Sequence, residues 1–238
     1  MNKTRTRMRA IYWIVIAVGS LLLGMYSAKN GWNMTVIGLW LVVVFLGAFG
    51  VEMIWLSSLS KKTNALMPLL RTNPDKYIEG IEALLGDSKS LGLQQTRRIN
   101  LAAAYCEKEE YGKAVEHLTA LDPSRIPPVN QGAYWADLAL ARFCLGQEAE
   151  AAALIDGQSQ VFARMKDQPG LRGLAAVLSS YYAKARGDLE LAWERYYAAR
   201  EAWTDAATQK ELDRLEKVLR KATEERLTIR SQAPEEGI

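Results

Sequence analysis

The sequence predicts an all-α protein in which two membrane-spanning helices precede a stack of helical hairpins closed by a capping helix. Three observations carry this. Two long uncharged apolar runs open the chain. Apolar and small residues then recur at helical spacing through most of the remainder. Finally, two separate sets of small residues return in step with each other, which marks an internal repeat.

The 238 residues allow one or two domains. A net charge of +3 hides a split between the two parts of the chain. Residues 1–60 hold five basic residues (Lys3, Arg5, Arg7, Arg9 and Lys29) and one acid, Glu52. The rest is close to balance, so it carries neither an acidic tail nor the basic stripe of a nucleic-acid binder.

Residues 1–9 read as a basic N-terminus. Residues 10–28 form the first span and 36–56 the second, since about 20 apolar residues cross a bilayer as a helix. Tyr12, Trp13, Tyr26, Trp32 and Trp55 sit near the run ends, where amphipathic rings suit the interface. The short link 29–35 contains the turn signal Asn30-Gly31. A cleaved signal peptide is the competing reading of the first run, but its cleavage pattern around Tyr26-Ser27-Ala28 is poor.

Basic residues flank the pair at Lys3, Arg5, Arg7 and Arg9 and at Lys61, Lys62 and Arg71, with only Lys29 between. The positive-inside bias then puts both termini in the cytoplasm. The expected setting is an integral protein of a bacterial plasma membrane, in contact with the bilayer through residues 10–56. Gly19, Gly24, Gly38, Gly47, Ala48 and Gly50 allow close helix approach, either within the hairpin or at a dimer seam. Glu52, near the end of the second span, either snorkels to the interface or marks function.

Residues 57–90 read as a membrane-proximal degenerate hairpin. Pro68 kinks or ends its first helix, and Asn73-Pro74 caps and starts the second. Residues 91–204 hold the repeats, whose first copy runs from Asn100 to Pro123. Ala102, Ala139 and Ser180 mark the point where each first helix meets its partner, and Ala114, Ala151 and Ala192 mark the matching point of each second helix. Both series step by 37 and then 41 residues. Gly146 and Gly187 close a first helix as a C-terminal glycine should, while Glu109 stands at that place in the first copy. Residues 205–230 read as a charged amphipathic helix covering the open end of the stack, with a short partner coiled coil as the alternative. Residues 231–238 form a tail.

These repeats resemble the tetratricopeptide repeat family over roughly residues 95–203. The first copy matches best, at Leu101, Ala102, Tyr105, Ala114, Leu118 and Pro123. Arg142 and Ala183 replace the first-helix tyrosine in later copies, and the spacing exceeds the family's; longer loops such as Arg125 to Gln131 account for that. A generic helical bundle with alanine-rich seams is the other reading.

The resemblance implies a concave surface, lined by first helices, that binds an extended peptide or a partner helix. By it, Ile99, Asn100, Ala103, Cys106, Ala136, Asp137, Leu140, Phe143, Tyr181 and Lys184 line the groove, unless they belong to the core of the stack. Capture of a C-terminal carboxylate is not expected, because only Asn100 fits the family's clamp.

No chemistry stands out. There is no phosphate-cradling glycine loop and no nucleophile elbow. Cys106 and Cys144 lack close ligand partners, so zinc is not expected and they read as buried free thiols. The single histidine, His117, is expected to be exposed. The chain therefore reads as a non-enzymatic, cofactor-free membrane adaptor for a protein partner. The alternative is a structural subunit of a larger membrane complex or homo-oligomer.

Overall fold

The computed structural model describes residues 3–31, 33–86 and 90–232. Trp32 and the tail residues 233–238 lie outside the described residues. The side chains of Lys3, Arg5, Arg9, Glu52 and Trp55 do too, so the readings made for them go no further. Among the described residues the chain is all-helical, with twelve α-helices, one short 3₁₀ turn and no strand. It divides into two units, residues 1–89 and 90–238.

In the first unit, α1 (Lys3–Asn30) and α2 (Met34–Leu66) form an antiparallel pair. Gly31 makes the turn at φ 78°, and Asn33 caps α2 by accepting the N–H groups of Thr35 and Val36. Both helices are long and apolar enough to cross a membrane, over Ala10–Asn30 and Met34–Val51. Their large apolar side chains face outward, Phe45 at 72% and Leu21 at 65% exposure, so neither is the core helix of a globular domain.

What holds the pair is local. A side chain at Gly19 would collide with the Trp40 ring, and Tyr12 donates a hydrogen bond to the Val44 carbonyl at 2.7 Å. Gly47 faces Tyr12, whereas Gly24, Gly38 and Gly50 have open space beside them. Helix α2 runs on without a break to Leu66, and Pro68 ends it. After α3 (Leu69–Thr72), Asn73 caps α4 (Pro74–Leu85) by accepting from Lys76 N. Tyr77, Ile78 and Ile81 are the buried face of α4, and Gly80 lets it approach Leu66.

The second unit is a series of antiparallel helix pairs. They are α5 (Leu91–Glu107) with α6 (Tyr111–Thr119), α7 (Pro128–Cys144) with α8 (Glu148–Gly157), and α10 (Arg172–Ala185) with α11 (Leu189–Ala202). The six register residues Ala102, Ala114, Ala139, Ala151, Ser180 and Ala192 are all fully buried. In the third pair the two marks touch, since Ser180 Oγ donates to the Ala192 carbonyl at 2.6 Å.

The three turns are the same turn. Glu109, Gly146 and Gly187 all have positive φ, at 62°, 76° and 82°. In each copy two N–H groups reach back to carbonyls of the first helix: Glu109 to Cys106 and Glu110 to Tyr105, Gly146 to Phe143 and Gln147 to Arg142, Gly187 to Lys184 and Asp188 to Ala183. The first copy builds it with a glutamate in a conformation that favours glycine.

Two features depart from plain repetition. A short helix, α9 (Ser159–Met165), is inserted between the second and third pairs and pinned by the fully buried Met165. The last helix, α12 (Ala206–Gln232), packs antiparallel to α11, with Arg200 paired to Asp213, Tyr196 donating to Glu216 at 2.8 Å and Trp193 to Thr223 at 3.1 Å. His117 is not exposed as expected; its ring stacks on Tyr105 at 5.1 Å and is partly buried.

Candidate functional site

The first-helix face named from the sequence is not an open groove. Ile99, Cys106, Ala136, Leu140, Phe143 and Tyr181 are buried, and Asn100, Ala103, Asp137 and Lys184 are partly buried. Ile99 and Cys106 belong to a cluster with Ala102, Ala114, Leu118 and Leu138. Ala136, Leu140, Phe143 and Tyr181 share a second cluster with Leu212, Leu215 and Leu219 of α12, and the Phe143 and Tyr181 rings stack at 5.3 Å. Lys184 is held by Glu148.

For the second cluster the reason is the position of α12. It does more than cover the end of the stack, because its first half reaches back to the first pair. Lys210 Nζ donates to the Glu107 carbonyl at 3.0 Å and to its carboxylate. Arg214 donates to Glu109 at 3.0 Å, also pairs with Glu211, and lies 6.0 Å from the Tyr111 ring centre. Three fully buried leucines contribute roughly 5–9 kcal/mol to holding the helix there, taken as an upper bound. That is comparable to the stability of a whole domain.

The seam beneath α12 is strongly acidic for its burial. Burial, with help from Glu211 and then Glu107, raises the Asp137 carboxyl to about 7. Burial also raises Glu211 above the usual carboxylate range, against the pull of Arg214. The Cys106 and Cys144 thiols are pushed up by burial first, and both feel Glu211 and Arg214. Neither is in a disulfide. Burial therefore disfavours the thiolate at both cysteines. Among the described residues no group of His, Cys, Asp or Glu is arranged to hold a metal ion.

An open concavity of the second unit is lined by residues of α8, α9, α10 and α11 and of the segments beside them. Two adjoining cavities of about 280 and 340 Å³ form it, and they share Lys166, Ala175, Ser179 and Arg195. Their floor is apolar, with Ile155, Phe162 and Leu178 in the first and Trp203 in the second. Arg195 stands at the junction, fixed by a hydrogen bond from its Nη1 to the Ser179 carbonyl at 2.9 Å. Lys166 and Arg172 extend from the rim. The acid in the lining, Asp156, accepts from the Tyr182 hydroxyl at 2.6 Å and pairs with Arg186, so its charge is already met.

None of the ten residues named from the sequence lines this cleft. The available signal was the second repeat step of 41 residues against 37 for the first, together with the insertion after Gly157. Comparison with known proteins finds no family model, no curated protein and no solved structure that matches the chain.

Proposed function

We propose that the protein is a membrane-anchored scaffold that carries a helical-repeat domain and uses it to recruit a protein partner. The observation that carries this is the contrast within one chain. A helix pair with its apolar faces outward precedes a folded, charge-balanced helical domain whose surface carries an open, largely apolar cleft. Exposed apolar faces on this scale need lipid around them. The three identical turns and the buried alanine register support a tetratricopeptide-like stack for residues 91–204.

In this reading α1 and α2 span the plasma membrane, the 29–35 link lies outside, and both termini are cytoplasmic. The full chain is expected to resist alkaline extraction from membranes. With Asn33→Cys, intact cells should be labelled by an impermeant maleimide, and with Gly237→Cys they should not. Labelling at Gly237→Cys would overturn the topology, and release by alkali would overturn the anchor. Crosslinking in native membranes separates the scaffold from the structural-subunit reading: a scaffold gives a partner lost on dilution, a subunit a fixed stoichiometric complex.

A further inference from the structure

We propose that the cleft formed by α8, α9, α10 and α11 binds an acidic peptide segment that carries apolar side chains. This rests on the scaffold reading and gives its partner a chemistry. The floor residues Ile155, Phe162 and Trp203 offer apolar and aromatic surface of the kind that anchors peptide side chains. Around that floor stand Lys166, Arg172 and Arg195, while the single lining carboxylate, Asp156, is closed off by Tyr182 and Arg186. The lining therefore presents uncompensated positive charge above an apolar base.

Arg195 decides the sign of the occupant. Its guanidinium is part of both cavities and is oriented by Ser179, so an arriving carboxylate meets a fork that is already positioned. A basic or neutral apolar segment would leave that cation desolvated without a partner, which is costly. The two cavities adjoin along Lys166, Ala175, Ser179 and Arg195 and total about 620 Å³, within the range of ligand-binding clefts. A cleft of this size accepts a few consecutive side chains, with apolar residues directed to the floor and carboxylates to the rim. A cleft whose walls are helices suits peptide capture because those walls are rigid elements.

The test uses the full chain in nanodiscs of zwitterionic lipid. The probe is a short fluorescein-labelled peptide of alternating Glu with Leu and Phe, and its Lys-for-Glu counterpart is the control; anisotropy reads binding. The acidic peptide should bind and the basic one should not. Lys166→Glu with Arg172→Glu should weaken binding by about tenfold or more, with the melting temperature unchanged because both side chains are exposed. Lys113→Glu with Lys221→Glu, on α6 and α12, should leave binding as it was. Equal binding of both peptides, or the same affinity in the Lys166/Arg172 variant, overturns the proposal. If nanodiscs of anionic lipid abolish peptide binding through the same two residues, the cleft takes a lipid headgroup and the peptide assignment falls. The membrane and topology tests are independent of all these outcomes.

Discussion

If α12 fills the face of the first helices, then removing one of its buried leucines should open that face, and the two thiols beneath it report the opening. Leu215 is fully buried in the cluster that includes Leu140, Phe143 and Tyr181. Truncation to Ala removes its transfer free energy and leaves a cavity, and buried Leu→Ala changes cost about 3–4 kcal/mol on average. Chemical denaturation of the full chain in detergent micelles, followed by tryptophan fluorescence, should show that loss. Alkylation of Cys106 and Cys144 gives the second reading. Both thiols are shielded and kept protonated by burial, so in the unaltered protein they should react slowly. When closing is fast, labelling follows the population of the open state, so the same loss should accelerate it by roughly 10²–10³-fold. The control is Leu227→Ala, at a position 61% exposed, which should change stability by less than about 0.5 kcal/mol. Rapid labelling of both cysteines in the unaltered protein, unchanged by Leu215→Ala, would refute the placement of α12.

Other consequences are smaller. Glu109→Gly relieves a glutamate at φ 62°, about 1 kcal/mol, and loses an exposed pair with Arg214 that contributes under 1 kcal/mol. The melting temperatures should rank Glu109→Gly highest, then the unaltered chain, then Glu109→Ala. Asp137 is ionised from about 3.8 in the unfolded chain but keeps its proton to about 7 when folded. The folded state then binds more protons between those values, so stability falls as pH rises from about 4 to 7. Asp137→Asn should flatten that fall, measured as melting temperature against pH. At Gly173 an added Cβ would sit on the Thr208 side chain of α12, so Gly173→Val should destabilise by about 1–3 kcal/mol. Gly157→Ala, with open space around it, should melt within a degree or two of the unaltered protein.

Much of the helical layout was legible because it depends on local signals. The stops at Pro68 and Asn73-Pro74 are backbone chemistry, and they appear where the sequence puts them. The register alanines were legible because a helix seam that excludes all larger side chains repeats the exclusion in every copy. Even the substitution of Glu109 for glycine was visible, although its positive φ was not. By contrast, Arg97 is fully buried, and no apolar periodicity can announce a buried cation. His117 looked exposed beside Glu116, because stacking on Tyr105 is set by the pairing of α5 with α6 and not by either helix alone.

The candidate site was harder for a reason specific to stacked hairpins. The stripe Leu212, Leu215 and Leu219 says that one face of α12 is buried, but not which surface buries it. An end cap and a helix laid across the first-helix face need the same stripe. What separates them is the polar flank: Lys210 and Arg214 are four residues apart on one side of α12, and they meet Glu107 and Glu109 at the far end of the first pair. Once that face is taken, six of the ten residues read as a groove are buried, and burial raises the Asp137 and Glu211 carboxyls. The cleft that α9 helps to line is a separate surface, where the cations Lys166, Arg172 and Arg195 stand around an apolar lining, and it is the surface proposed above for a partner. Binding in this domain is therefore expected to follow the inserted helix and not the repeated ones.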